Sequence, residues 1–308
     1  MKEYNQNLEQ NFEELGNANV NSKNIHWFPG HMMKTLRLME KEIKNVDVVI
    51  VLLDARIPYS SQNPEIEAII KNKPKVYVLN KADLADMNIT NQWIKYFKDN
   101  GMGAIAINSK TGKSAKNVIS QVEKELKELL ERRQAKGIDG EKIRAMMVGI
   151  PNVGKSTFIN AIAGTQRAKA QDRPGVTRGK QWVTVGNLDL LDMPGVLWRK
   201  FENQKIAANL AFIGSIKDDI LDIETLAARL ADVLNHEAHK QLCERYKLTD
   251  EETFEIEPFA LLELIGAKRG MKISGGDIDT ERAAAMLLDE FRGGKIGRIT
   301  LERPNELI

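Results

Sequence analysis

Residues 149–156, GIPNVGKS, set four residues between Gly149 and Gly154 and follow them with a lysine and a serine. Glycine at both positions lets the backbone curl until successive N–H groups face one point. Lys155 adds a long cation and Ser156 a hydroxyl. That combination suits a polyphosphate, with Asn152, Val153, Gly154, Lys155, Ser156 and Thr157 as candidate phosphate contacts. A carboxylate to complete such a site stands in LLDMPG, where Asp192 can hold Mg2+ through a water and the Gly195 N–H can reach a terminal phosphate. Between the two lies DRPGVTRG, and Thr177 is its natural hydroxyl for Mg2+ when a triphosphate is bound. The expected Mg2+ set is therefore Ser156, Thr177 and Asp192.

NKAD at 80–83 suits a base rather than a phosphate. An aspartate here accepts from both N1–H and the 2-amino group of guanine, and adenine offers neither, so Asp83 selects guanine. Asn80 is placed to contact N7 and tie this loop to the phosphate loop. The Lys81 stem, with Ala82 beside it, packs flat on the base. NSKTG at 108–112 supplies a second loop, in which Asn108 and the Ser109 backbone N–H face guanine O6. The implied ligands are GTP and GDP.

These groups need strands to hold them. VDVVIVLLD (46–54), KVYVLN (75–80), AIAIN (104–108) and IRAMMVGI (143–150) read as buried parallel strands. WVTVG and LDLLDMPG read as a strand pair. The stretch AKNVISQVEKELKELLERRQAK reads as one long amphipathic helix. TFINAIAG continues the phosphate loop as a helix whose N-terminus favours anions. The alternation implies a doubly wound α/β domain with a mostly parallel sheet and its ligand at the carboxyl ends of the strands. Past residue 204 the pattern turns helical, with Asp279 or Thr280 capping one helix and Gly293 ending it, until a short strand-like GRITLE at 297–302. The expected organisation is a mobile extension over 1–24, a nucleotide domain over 25–203 and a mainly helical domain over 204–308.

Composition narrows the class further. The 308 residues carry 45 basic and 43 acidic side chains, a formal net charge of +2, so any nucleic-acid surface must come from local clusters. Cys243 is the single cysteine, which rules out an intrachain disulfide. The start is polar and VVIVLL is too short to span a bilayer, so a cytoplasmic location away from membranes is expected; a monomer is the expected state.

The base reader precedes the phosphate loop here, the reverse of the usual GTPase order. With WFPGHM (27–32), DARIPYSSQNP (54–64), NKADL, GIPNVGKSTFIN, PGVTRG and DMPGVL, the chain resembles the circularly permuted GTPases, within them the ribosome biogenesis GTPase A or YlqF type. The resemblance covers about residues 25–308 and implies a permuted P-loop GTPase fold and GTP hydrolysis coupled to late assembly of the large ribosomal subunit. It also implies K+ activation through Asn152 as a ligand for the monovalent ion. The residue after DMPG, where Ras-like proteins place a water-orienting glutamine, is Val196. His31 is the expected substitute, with His26 its competitor, while His236 and His239 read as distant surface residues. Lys268, Arg269 and Lys272 in a glycine-rich loop, with Arg292, Lys295, Arg298 and Arg303, are candidates for ribosomal RNA contact. A GTP-dependent signalling switch acting on a protein effector is the alternative, and a small-molecule kinase is disfavoured by the guanine reader.

Asp83→Asn is expected to move preference from GTP to XTP, because the amide donates where guanine also donates and xanthine accepts. Competition binding of the two nucleotides measures the swap; unchanged GTP preference removes Asp83 as the base reader.

Overall fold

The structure is a computed structural model that describes residues 30–138, 140–163, 181–199, 201 and 203–306, with backbone alone for 112–115. His26, Thr177 and the expected extension over 1–24 lie outside the described residues.

Among the described residues, six strands form one sheet in the order β3-β2-β1-β4-β6-β5. β1 (Val48–Asp54) lies in the middle, flanked by β2 (Lys75–Asn80) and β4 (Ile143–Gly149), both parallel to it. All seven β1 residues are buried, as expected of a strand covered on both faces. β3 (Gly103–Ala106) closes one edge in parallel. On the other side β6 (Leu188–Asp192) is parallel to β4, and β5 (Gln181–Val185) pairs antiparallel to β6 as the opposite edge. Asp54 pairs across from Asn80, Leu52 from Gly149 and Met147 from Asp192, so the chemically distinctive strand ends share one rim of the sheet.

Helices cover both faces. α1 (Gly30–Glu42) leads into β1, and α2 (Pro64–Ile70) starts where the Asn63 side chain accepts from the N–H groups of Glu65 and Ile66. Asp86 caps α3 (Met87–Asp99) in the same way, and α3 buries Trp93 and Phe97, the latter stacked 4.5 Å from Tyr77 of β2. The expected long helix after β3 is two helices, α4 (Gly112–Glu125) and α5 (Lys127–Ala135), broken at Leu126. Leu126 itself is buried, but α5 buries no side chain fully and docks through ions, with Arg133 2.7 Å from Asp47. Only Leu129 and Leu130 of α5 pack on the core, each partly buried. α6 (Lys155–Ala163) leaves the phosphate loop.

Beyond residue 203 the described chain is helical: α7 (Gln204–Phe212), α8 (Ile223–Glu237), α9 (His239–Tyr246), α10 (Asp250–Thr253), α11 (Pro258–Lys268) and α12 (Thr280–Arg292). α8 packs on α11 and α12. Asp279 caps α12 and Gly293 follows it, as the sequence indicates. The strand expected over 297–302 is absent. Instead this segment runs extended across the loops after β1 and β2, with Ile299 N–H donating to Leu84 O and Leu301 N–H to Arg56 O. It finds loop carbonyls there, not a partner strand. Its buried Glu302 accepts from the N–H groups of Tyr59 and Ser60, from the Ser60 hydroxyl and from Asn209 of α7, while Trp93 donates to its carbonyl. Burial raises the Glu302 pKa and these donors only partly offset the rise. No helix among the described residues is long and apolar enough to cross a membrane.

Glu302→Ala strands those donors at the seam between loop 55–63, α7 and the tail. The cost is about 1–3 kcal/mol for each donor that water does not reach. Urea unfolding should show a lower midpoint with little change in slope.

Candidate functional site

The glycine loop follows β4 and runs into α6, the strand–loop–helix context that phosphate binding needs. Asn152 and Gly154 both adopt positive φ, 58° and 97°. At Gly154 a Cβ would lie 2.4 Å from the Asn80 amide nitrogen, so glycine is required for contact as well as for conformation. Lys155 is buried, and its ammonium donates to the carbonyls of Gly149 (3.0 Å) and Ile150 (2.8 Å), which hold it over its own loop. Burial lowers its pKa to about 8, against the opposing pull of Asp192. Burial raises Asp192 to about 6, with Lys155 opposing. The Asp192 Oδ1 is buried without a hydrogen-bond partner among the described residues. A buried carboxylate oxygen left over at the end of a strand, beside a loop that offers the Ser156 hydroxyl, is a donor set that fits a hard divalent cation such as Mg2+.

The base-reader loop leaves β2 beside the phosphate loop. Asn80 is buried and engaged at both polar atoms: its Nδ2 donates to Val153 O (2.7 Å), and its Oδ1 accepts from Ser109 N (3.1 Å) and Ser109 Oγ (2.7 Å). One amide therefore joins NKAD, NSKTG and the phosphate loop. Ala82 N–H donates to Ile107 O, and the Asn108 side chain accepts from Lys110 N–H, which shapes the second loop. Asp83 is half-buried, and no described residue bonds its carboxylate. That arrangement leaves both oxygens for N–H donors of a ligand.

Asp54 and Arg56 were not singled out as site residues by sequence reasoning, yet both are almost wholly buried at the same rim. Arg56 holds Asp54 through Nε (2.9 Å) and Nη2 (2.8 Å), and the Lys81 ammonium lies 3.0 Å from Asp54 Oδ2. Burial alone would raise the Asp54 pKa, but Arg56 and Lys81 outweigh it and hold the carboxyl well below its usual range. The readable signal was a charge ending an apolar strand in DARIP, opposite the asparagine of NKAD.

DMPG lies against the phosphate loop. Val196 N–H donates to Gly149 O (3.3 Å), Val196 O accepts from Asn63 Nδ2 (2.8 Å), and the valine side chain is buried. A Cβ on Gly195 would stand 2.8 Å from Pro151 backbone atoms and 2.9 Å from Lys155 Nζ. Three residues past Val196, Arg199 pairs with Glu65 (3.2 Å) and borders a cleft of about 510 Å³ that α1 and α2 also line. The cleft lies away from the glycine loop. His31, the second residue of α1, is exposed, and its carbonyl accepts from Thr35 Oγ1.

Ribosome biogenesis GTPase A of Bacillus cereus is 46% identical over 283 residues, covering 92% of this chain and 95% of the relative. The chain belongs to the ribosome biogenesis GTPase A family. Its members include the Priestia megaterium protein of that name, 45% identical over 92% of this chain and 98% of the relative. Residues 144–256 match a family model described as 50S ribosome-binding GTPase. Among solved structures, GDP-bound YlqF superposes with a TM-score of 0.63 at 27% identity, over 87% of this chain and 100% of that one. GNP-bound YlqF from T. maritima gives 0.59 at 26% identity, over 88% and 98%. The fold is thus a circularly permuted P-loop GTPase, and the protein is a GTP hydrolase.

Several basic residues considered for RNA contact are occupied within this family member's own fold. Lys268 pairs with Glu252 (2.7 Å), Arg269 with Glu290 (3.4 Å), Arg292 with Asp218 (2.6 Å) and Arg303 with Glu237 (2.6 Å). Acidic side chains on neighbouring segments supply the partners, and a local basic count misses them. Lys272, Lys295 and Arg298 are exposed. His239, read as a surface residue, is half-buried, with Nε2 2.9 Å from Thr253 Oγ1. His236 is exposed as expected.

Gly195→Ala should force the added methyl into the phosphate-loop backbone and the lysine head. Multiple-turnover GTP hydrolysis should fall at least about 10-fold, the rate equivalent of about 1.4 kcal/mol in the barrier. A wild-type rate would show that the DMPG segment need not pack this closely.

Proposed function

We propose that this GTPase couples GTP binding and hydrolysis to a late step of large ribosomal subunit assembly, acting as a cytoplasmic monomer on ribosomal RNA. The observation that carries the reading is the physical continuity between the nucleotide rim and the helical region. DMPG leads into α7, the 297–302 segment crosses the base-side loops, and Asn152 Nδ2 donates to Gly214 O (2.7 Å) just past α7. A ligand that changes the γ-phosphate end can shift the helical region only by differential affinity for its arrangements, and this continuity is where such a difference can arise. We take residues 25–203 as the nucleotide domain and 204–308 as the subunit-facing domain. The RNA-facing charge falls to Lys272, Lys295 and Arg298, which are exposed, in preference to the basic residues held in internal ion pairs.

In this reading Asp83 selects guanine, Lys81 and Ala82 bracket the base, and Asn108 and Ser109 complete its contacts. Val153, Gly154, Lys155, Ser156 and Thr157 hold the phosphates, and Gly195 meets the terminal one. Ser156, Asp192 and Thr177 would hold Mg2+, which supplies charge neutralisation across the phosphate oxygens. Asn152 spends its amide nitrogen on Gly214, and its carbonyl oxygen is the atom suited to K+. Val196 is aliphatic and buried, so water positioning passes to His31, whose exposed imidazole begins α1. A signalling role on a protein effector is the competing reading, and it requires no salt-sensitive affinity for ribosomal subunits.

The deciding experiment is GTP turnover with and without purified large subunits. Weak intrinsic turnover, stimulation by the subunits, and tighter subunit binding with a non-hydrolysable GTP analogue than with GDP are expected. Equal subunit affinity in both nucleotide states overturns the coupling. In the stimulated assay His31→Ala should slow turnover by about 10²–10⁴-fold while GTP binding stays nearly intact. Replacing KCl by NaCl should lower the rate, and equal rates remove K+ from the mechanism.

A further inference from the structure

α12 ends where two arginines meet. The C-terminal carbonyls of Phe291 and Arg292 both accept from Arg56 Nη1 at 3.3 Å, the first of them beside the Gly294 N–H. The Arg56 guanidinium also lies 5.5 Å from the centre of the Phe291 ring. Its other nitrogens grip Asp54, and Asp54 in turn holds the Lys81 ammonium at 3.0 Å. Lys81 stands at a positive φ of 58° inside NKAD, so its backbone depends on its surroundings to stay there. One path therefore runs from the end of α12 to the base reader in three contacts.

A second path leaves the same helix end in the other direction. Arg292 donates to the last carbonyls of α7, Nε to Phe212 O (3.0 Å) and Nη2 to Ala211 O (2.9 Å), and Asp218 holds both terminal nitrogens. Gly214 turns the chain at φ 74°, and a Cβ there would sit 3.3 Å from Arg292 Nε. The same turn meets the phosphate loop twice, since Gly214 O accepts from Asn152 and Ser215 Oγ donates to Pro151 O (2.8 Å). Each arginine thus caps one helix C-terminus, where its charge matches the dipole. Its planar five-donor fork holds an orientation that a lysine would not.

We propose that Arg56 and Arg292 are positioning residues for the GTP site. Arg56 sets the guanine subsite through Asp54 and Lys81. Arg292 sets the phosphate subsite through the 211–215 turn and Asn152. The end of α12 is their shared anchor, so one helix terminus braces both halves of a site whose direct tie is Asn80. The proposal rests on the reading of NKAD as the base contact and of 149–156 as the phosphate contact.

The test is competition binding of GDP, IDP and GMP to the full chain. IDP lacks the 2-amino group and reports the base subsite; GMP lacks the β-phosphate and reports the other. Arg56→Lys should lower the GDP-over-IDP preference within the about 2–30-fold range of indirect coupling and leave GDP-over-GMP unchanged. Arg292→Lys should do the reverse. A merely structural role predicts a lower melting temperature with both ratios unchanged, or both falling together, and either result overturns the proposal. Should Arg56→Lys fail to fold, Phe291→Leu carries its half, since it removes the ring beside the Arg56 guanidinium and should weaken GDP-over-IDP alone; Asp218→Asn loosens Arg292 from outside the site and should weaken GDP-over-GMP alone. A wild-type chain that binds IDP as tightly as GDP would remove the base reading itself, and the proposal with it.

Discussion

A guanine nucleotide has a fixed length, and the two loops that grip its ends must be held at that separation. In this chain the grip depends on the Asn80 side chain, whose amide bonds the phosphate loop at Val153 and the second base loop at Ser109. Val153 lies 73 positions from Asn80, in the loop after β4, a strand that is not adjacent to β2. The contact forms only because β1 pairs in register with β2 on one side and β4 on the other. The sheet places the loops within reach, and the amide fixes their final spacing. Glycine at 154 is then required, because a side chain there would occupy the position of the amide nitrogen.

Permutation changes what lies next to this fixed point. The DMPG segment does not return to the sheet; it passes to α7 and the helical region. The tail then comes back across the loops that end β1 and β2, so the nucleotide rim is bordered on both sides by chain that follows it in sequence. Buried charge marks these crossings. Asp54, Arg56 and Glu302 are nearly inaccessible, and each has several hydrogen-bond partners from separate segments. Burying an ion is unfavourable unless such partners satisfy it. Those groups therefore favour one arrangement of the segments over looser alternatives.

Much of this was legible in the residues. The all-apolar β1 run, the strand–glycine–helix order at 143–163 and the capping residue Asp279 depend on local pattern, and each element formed where that pattern lies. The tie from Asn80 to the phosphate loop was also readable. What failed depended on distant partners. The 115–136 periodicity does not reveal that α5 buries none of its side chains fully. GRITLE alternates like a strand, but its neighbours are loops 200 and more residues earlier. Lys268, Arg269, Arg292 and Arg303 look like an exposed basic cluster until acids on other helices are brought beside them. Asp54 and Arg56 were hidden for the same reason, since their importance lies in what they join.

Glu302 bonds Ser60 across 242 residues of chain. During synthesis every strand and loop of the nucleotide rim emerges before that carboxylate exists. At about 5–20 residues per second, the loop holding Tyr59 and Ser60 waits at least ten seconds or so for its partner. Its donors stay hydrated until then, and the closure must overcome the entropy of a very long loop. The sheet can assemble early from local pairings, while the seam that joins it to the tail closes last.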